Sequence, residues 1–295
     1  MLQPHKIRQN FIESLTHLYS SAEATELYWL SLEQVLNRER MQLKLDSRLQ
    51  ISEAETHTIQ KILLDLQKGR PVQHILGYSS FLGEKFIVNE SVLIPRPETE
   101  ELVAWILEDL ADSKQVQEPI EILDIGTGSG CIPISLKKKL PIKARVHAVD
   151  ISSDALQVAK ENAELHKAEI DFLQLDILQA EPYVNELNQK FHIIVSNPPY
   201  IASDEKMDMH QNVVDYEPHQ ALFVKQENPL IFYTTIAAYA MKNLHDSGLL
   251  YFEINQRYGD ALVEYLSANG FKNIILKKDI SGNDRMIRAS LDTQP

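Results

Sequence analysis

Leu123-Asp124-Ile125-Gly126-Thr127-Gly128-Ser129-Gly130-Cys131 is the stretch that sets the fold. Three of the chain's 10 glycines fall in residues 126–130. At a usual frequency of ~7% a chain of 295 residues would carry about twenty, so the cluster stands out from a glycine-poor background. Residues 120–125 ahead of it form a short apolar run, and residues 132–140 behind it can form a helix if Pro133 lies in the first turn. Glycine between a strand and a helix permits a tight turn and lets a ligand approach the backbone closely. A dinucleotide loop reads GxGxxG, and here Cys131 holds the place of that last glycine. The tighter GxGxG spacing suits a ligand without a pyrophosphate, whose amino-acid end and nucleoside lie across the loop. A bare strand-to-helix turn with no ligand is the alternative.

Outward from the loop the pattern alternates. Residues 144–149 read as a second strand ending at Asp150, and Ser152 or Ser153 can cap a helix that runs through His166. Residues 170–175, 191–195, 249–254 and 271–276 read as further strands, and 228–243 and 258–269 as helices. This rhythm predicts an α/β fold, a mostly parallel Rossmann-like sheet with helices on both faces. Ligands of such sheets sit at the carboxyl ends of the strands, near the switch in strand order. Asp150 is then placed to accept from ribose hydroxyls, and Asp124 to meet the ligand's amino-acid portion.

Residues 1–70 read as helices. Ser52 and Glu55 have capping-box spacing, and Ile59, Ile62, Leu63 and Leu66 share one helical face before Gly69 and Pro71 end the helix. Leu27, Tyr28, Leu32, Val35 and Leu36 make a similar stripe. Both fit the core of a small bundle, one face of which could dock a partner. Phe81, Phe86, Ile87 and Val88, set among Gly77, Gly83 and Asn89, suggest a hairpin. Ile94-Pro95-Arg96-Pro97 reads as a stiff extended connector, and residues 98–110 as a helix with acidic residues in its first turn. The expected division is a helical substrate-recognition domain over 1–70, a hairpin connector over 71–97 and a catalytic domain over 98–295.

Ser196-Asn197-Pro198-Pro199-Tyr200 follows the apolar strand Ile193-Ile194-Val195 and so lies over the expected ligand crevice. A proline turn after a strand is common. Asparagine, two prolines and an aromatic together suit a narrower task. A planar NH2 conjugated to a carbonyl or ring is a poor nucleophile, and methylating it requires acceptors for both N–H bonds. The Asn197 side-chain oxygen is one candidate and the Pro198 carbonyl the other. Pro199 restricts its predecessor and so aims that carbonyl. Tyr200 offers a flat face for a planar substrate.

Composition narrows the field. Lys and Arg total 29 against 42 Asp and Glu, a formal charge of −13, which argues against a duplex DNA binder. The single cysteine, Cys131, excludes an intrachain disulfide and a multi-cysteine zinc site, and we expect it to pack as a small apolar group. The 10 histidines lack HxH or HxxxH spacing, so no metal is expected. No apolar run reaches the ~18 residues of a membrane span. Residues 1–13 lack a secretory apolar core, so a soluble cytoplasmic protein is expected. Lys137-Lys138-Lys139 reads as a solvated helix face, with an RNA phosphate contact as the sharper alternative.

Taken together, the glycine loop, Asp150 and Asn197-Pro198-Pro199-Tyr200-Ile201 resemble S-adenosylmethionine-dependent methyltransferases of amide or amine nitrogen. More closely, the chain resembles the HemK-type protein-(glutamine-N5) methyltransferases of peptide chain release factors. The likeness extends to residues 70–77, to Ile94-Pro95-Arg96-Pro97-Glu98-Thr99-Glu100, to Glu217-Pro218 with Ala221-Leu222, and to residues 278–285. It implies that Asp124, Gly126, Thr127, Gly128, Ser129, Gly130, Asp150, Asp176, Ile177 and Asn197 hold S-adenosylmethionine. It implies that Asn197, Pro198, Pro199 and Tyr200 grip a glutamine in the Gly-Gly-Gln loop of class-1 release factors, with no direct DNA binding. Ile177 stands where relatives often carry an aromatic, leaving adenine an apolar contact only, and Asn255 follows Ile254 where relatives tend to have glycine. Three other readings stay open: an adenine-N6 DNA methyltransferase, whose target is also a planar NH2; a non-catalytic cofactor-binding partner of translation; and a dinucleotide oxidoreductase.

Overall fold

The computed structural model describes residues 4–112, 119–140, 143–179, 187, 189–202, 205, 211–224 and 228–291. The start of the 1–13 segment and His210 lie outside them. The chain divides into two compact units, Met1–Tyr78 with His210–Tyr216, and Ser79–Met209 with Glu217–Pro295.

The first unit is helical: α1 (Pro4–Leu15), α2 (Ser21–Leu36), α3 (Arg40–Leu45), α4 (Glu53–Gln67) and α5 (Val72–Leu76). The capping box at the head of α4 forms as its spacing predicts: Glu55 N–H donates to Ser52 Oγ at 3.2 Å and Ser52 N–H donates to Glu55 Oε2 at 2.6 Å. Ile59, Ile62, Leu63 and Leu66 all bury their side chains, in one cluster with Phe11 and Leu32. The later segment Gln211–Tyr216 adds a short helix to this unit. Asn212 Nδ2 donates to Tyr19 Oη at 3.2 Å, and Tyr216 Oη donates to the Lys68 carbonyl at 3.0 Å. Ser52→Ala removes the acceptor for one orphan N–H and should lower the stability of this unit by about 1 kcal/mol, measured by denaturant unfolding followed at its tryptophan, Trp29.

The second unit begins at Ser79, within β1 (Tyr78–Phe81), which forms a hairpin with β2 (Glu84–Ile87). Leu82 and Gly83 at its tip both have positive φ, 49° and 79°, as a tight primed turn demands. Glu100 Oε1 holds this turn by accepting from Leu82 N–H at 2.8 Å. Then come α6 (Pro97–Asp112), β3 (Ile120–Ile125), α7 (Cys131–Lys139), β4 (Ala144–Asp150), α8 (Ser153–His166), β5 (Asp171–Gln174), β6 (Phe191–Ser196) and β7 (Ile201–Ala202). With the Gln211–Tyr216 helix counted as α9, there follow α10 (His219–Leu222), β8 (Phe223–Val224), α11 (Ile231–Asn243), β9 (Leu244–Glu253), α12 (Gly259–Ala268), β10 (Lys272–Lys278) and β11 (Asp284–Ser290).

Seven strands form one sheet in the order β10-β11-β9-β6-β3-β4-β5. The run from β9 through β6, β3 and β4 to β5 is parallel, and β11 lies antiparallel between β9 and β10. The α/β reading is correct, but β11 was not foreseen. Successive strand residues face opposite sides. Ile122 and Ile193 pack with α6, α7 and α8 through Ile106, Ile134 and Ala163, whereas Leu123 and Ile194 pack with α11 and α12 through Ile236 and Leu262. Strand order reverses at β3, whose neighbours are β4 on one side and β6 on the other. The carboxyl ends of β3 and β6 therefore open on a crevice of the kind that holds ligands in such sheets.

Candidate active site

Parallel pairing sets Ile125 beside Ser196, so the glycine loop and the Asn197 segment leave the sheet side by side. Ser196 Oγ ties the two exits by donating to the Ile125 carbonyl at 2.6 Å. Gly126, Gly128 and Gly130 have φ of 77°, 54° and 78°, a region other residues seldom adopt. A Cβ on Gly128 would meet nothing within 4 Å, and one on Gly126 would lie 3.9 Å from the Asn197 carbonyl oxygen, so these two glycines keep the backbone bare. Gly130 serves packing, since a Cβ there would lie 3.2 Å from that of Ala159.

The loop borders a cavity of about 270 Å³. Gly126, Thr127, Gly128 and Ser129 line it, as do Asp150, Asp176, Ile177, Asn197, Pro198 and Pro199. Ten residues singled out from the sequence thus share one wall, contributed by β3, β4, β5 and β6. Gly130, Asp124 and Tyr200 are not on that wall.

Asp150 accepts from Gly128 N–H and Ser152 N–H, both at 2.9 Å, which fixes its carboxylate and leaves each oxygen a second lone pair. Burial raises its pKa, and those N–H groups oppose the rise. Asp176 caps its own turn by accepting from Leu178 N–H at 2.9 Å. Asp124 lies behind the loop and is fully buried. Neither of its oxygens has a hydrogen-bond partner among the described residues, and nor does Thr127 Oγ1. Burial pushes the Asp124 pKa up to about 7, opposed by the neighbouring Thr127 hydroxyl and reinforced by the charge of Asp150. A buried carboxyl group with no counter-charge, beneath a glycine loop, carries a desolvation cost that a nearby positive charge would relieve.

Asn197 Nδ2 donates to Thr99 Oγ1 at 3.1 Å. Tyr200 donates its hydroxyl to Glu253 Oε1 at 3.1 Å, and its half-buried ring packs against the cluster that holds Tyr233 and Ile236 of α11. Sequence reasoning missed several neighbours. Thr99 and Arg96 line the cavity from the start of α6 and the connector before it, and Phe232 lines it from α11, which packs on the Ile177–Gln179 turn. Glu217 is buried; it accepts from Arg96 at 2.6 Å and from Ile94 N–H at 3.1 Å, pinning the connector. The Ile-Pro-Arg-Pro stretch and Glu217-Pro218 are each plain in the sequence, but their union spans more than a hundred residues and leaves no local pattern.

Cys131 packs in the core, where burial raises its thiol pKa to about 12. Lys137 and Lys138 are tied to their own chain, donating to the Ala144 carbonyl at 2.6 Å and to Glu84 at 2.8 Å. Among the described residues, no helix is long and apolar enough to cross a membrane.

Comparison with known proteins shows the family. Residues 105–222 match the Methyltransferase small domain and residues 6–77 the PrmC N-terminal domain. The chain is 46% identical over 283 residues to a release factor glutamine methyltransferase of Flavobacterium psychrophilum, covering 96% of this chain and 97% of that protein. The chain belongs to the release factor glutamine methyltransferases. A second member, from Bacteroides thetaiotaomicron, is 40% identical over 94% of this chain and 96% of its own. The hMettl16 catalytic domain, solved in complex with the MAT2A 3'UTR hairpin 6, shares the fold with a TM-score of 0.54 at 15% identity, over 82% of this chain and 84% of that one. As a member of its family, this chain is a methyltransferase enzyme.

Proposed function

We propose that this release factor glutamine methyltransferase transfers a methyl group from S-adenosylmethionine to the N5 amide nitrogen of the glutamine in the Gly-Gly-Gln loop of class-1 release factors. The observation that carries the reading is the union of Asn197 and Pro198 with the glycine loop on one cavity wall. The residues present suit the cofactor. Gly126 and Gly128 keep the loop open, Asp150 has lone pairs for ribose hydroxyls, Ile177 and Phe232 supply apolar and aromatic surface for a base, and Asp124 lacks a counter-charge. When bound, S-adenosylmethionine supplies a sulfonium methyl carbon as the electrophile.

The protein's part is to orient the target. Asn197 Oδ1 and the Pro198 carbonyl accept from the two N–H bonds of the carboxamide, holding its nitrogen in the cavity. As that nitrogen gains positive charge its N–H bonds donate more strongly, so both acceptors bind the transition state more tightly than the ground state. The methylated amide is cationic and loses its proton readily, so no strong general base is needed. Tyr200, tied to Glu253, anchors the end of the segment and so fixes the Pro198 carbonyl. Recognition of the release factor falls to the helical unit, and the reaction is placed in the cytoplasm without direct DNA contact.

Mass spectrometry of a coexpressed release factor should show one added methyl, located on the loop glutamine. Labelled methyl appearing on DNA and not on the release factor would overturn the reading in favour of an adenine-N6 enzyme.

A further inference from the structure

Asparagine presents an oxygen and an NH2 group of nearly equal size, so its shape alone cannot decide which end meets a substrate. The neighbours must decide it. Three elements converge behind Asn197: Thr99 in the first turn of α6, Glu253 at the end of β9, and Tyr200 in the loop after β6. Thr99 Oγ1 donates to Glu253 Oε2 at 2.6 Å, and Tyr200 Oη donates to Glu253 Oε1 at 3.1 Å. Glu253 is 1% and Thr99 3% exposed, so bulk water does not compete for these bonds.

We propose that Glu253, acting through Thr99, is a positioning residue that sets the polarity of the Asn197 amide and thereby presents its oxygen to the substrate. A carboxylate only accepts. The single hydroxyl hydrogen of Thr99 is therefore committed to Glu253, which leaves Thr99 Oγ1 to accept. It accepts from Asn197 Nδ2 at 3.1 Å, and Oδ1 must face away from Thr99. Among the described residues no hydrogen bond reaches Oδ1 from the protein. This inference rests on the reading of Oδ1 as an acceptor for the carboxamide N–H.

The relay has a direction, and a proton on Glu253 reverses it. Protonated at Oε2, Glu253 donates to Thr99, and the freed Thr99 hydrogen donates to Asn197. The amide then turns its NH2 toward the substrate NH2, where two donors meet and no bond forms. The groups that act on Glu253 are the hydroxyls of Thr99 and Tyr200, Arg285 of β11 and Glu98 of α6. Tyr233 of α11 donates to its backbone carbonyl at 3.3 Å, and the buried thiol of Cys131 lies within electrostatic range. Burial raises the Glu253 pKa, the two hydroxyls and Arg285 oppose it, and Glu98 adds to it.

The test uses the full-length enzyme with a purified release factor and saturating S-adenosylmethionine. Thr99→Val, which keeps shape and loses the hydroxyl, should lower kcat by about tenfold or more, with KM for the release factor and cofactor affinity nearly unchanged, because one misoriented catalytic hydrogen bond is at stake. Thr99→Ser should restore most of the rate. The relay predicts an acidic limb in the wild-type kcat, and Glu253→Gln should lower kcat and remove that limb, since an amide does not titrate. A Thr99→Val enzyme with wild-type kcat, a Thr99→Ser enzyme as impaired as Thr99→Val, or an acidic limb that survives in Glu253→Gln would each overturn the proposal. Should Glu253→Gln fold poorly, the two Thr99 variants decide alone. Asn197→Ala separates the layers: if it retains activity, the underlying reading of Asn197 fails; if it is inactive while Thr99→Val is unimpaired, only the relay fails.

Discussion

Asn197→Ala should lower kcat for methyl transfer to the release factor by about 10²–10³-fold, the usual loss for one preorganised hydrogen-bonding group at a centre of developing charge. The wild-type side chain is held before substrate arrives: Ser196 is tied to β3 through the Ile125 carbonyl, and Asn197 Nδ2 is tied to Thr99. No reorganisation is needed at the moment of reaction, and that is what alanine forfeits. On the proposed mechanism the nitrogen that accepts the methyl would lose one of two acceptors in the ground state and more as charge builds, so the effect falls on kcat more than on KM. Cofactor binding should be largely retained, since the glycine loop, Asp150 and Ile177 are untouched. Calorimetry with S-adenosylmethionine beside a single-turnover assay measures both quantities. A variant that binds cofactor normally and transfers methyl at the wild-type rate would show that Asn197 is not the acceptor.

The parts of this site that the sequence revealed are the parts built locally. The glycine loop, Asp150, Ile177 and Asn197-Pro198-Pro199 each sit at the end of a strand whose apolar pattern is plain, and parallel pairing brings strand ends together without further instruction. Long-range parts left no such mark. Thr99 and Glu253 are separated by 154 residues, and nothing near either announces the other. Glu253 would read as an ordinary strand-end carboxylate that faces water; it is buried because Thr99 and Tyr200 donate to it. The strand β11 was hidden for a related reason. Its sequence, Asp284-Arg285-Met286-Ile287-Arg288-Ala289-Ser290, carries three charges and resembles a polar tail. In the sheet Arg285 pairs with Asp279 at 3.1 Å and Arg288 with Asp109 at 2.8 Å, so the charges are met and Met286 and Ile287 fill opposite faces of the core. Segment Gln211–Tyr216 likewise joins a helical unit whose other members all precede residue 79, through side-chain contacts to Tyr19 and Lys68 that no periodicity encodes.

Asp124→Asn should make the ligand-free protein more stable and the same protein a poorer binder of its cofactor, and the two effects should share one pH dependence. The carboxyl pKa rises from 3.8 to about 7 on folding because burial disfavours the anion. A raised carboxylate pKa means that folding takes up a proton between those values, so the wild type loses stability as pH climbs from about 4 to about 7 and regains none above it. The penalty at pH 8 is on the order of a few kcal/mol. Asparagine has no charge to bury and escapes it, so its thermal midpoint should exceed that of the wild type at about pH 8 and match it near pH 4, as calorimetric melting would record. Binding runs the other way. On the proposed reading, a cationic cofactor beside the glycine loop would supply the missing counter-charge, stabilise the ionised Asp124 and lower its pKa. The wild type should therefore bind S-adenosylmethionine at least about tenfold more tightly than the variant above pH 7, the yield of a charge interaction worth roughly 1.4 kcal/mol. That advantage should shrink as pH falls below 7, where binding must first expel a proton. Comparing variant with wild type at each pH cancels titration of the ligand itself. S-adenosylhomocysteine, which lacks the sulfonium charge, should discriminate less between the two proteins. A variant that binds both ligands as the wild type does, at every pH, would mean that Asp124 answers to something other than the cofactor's charge.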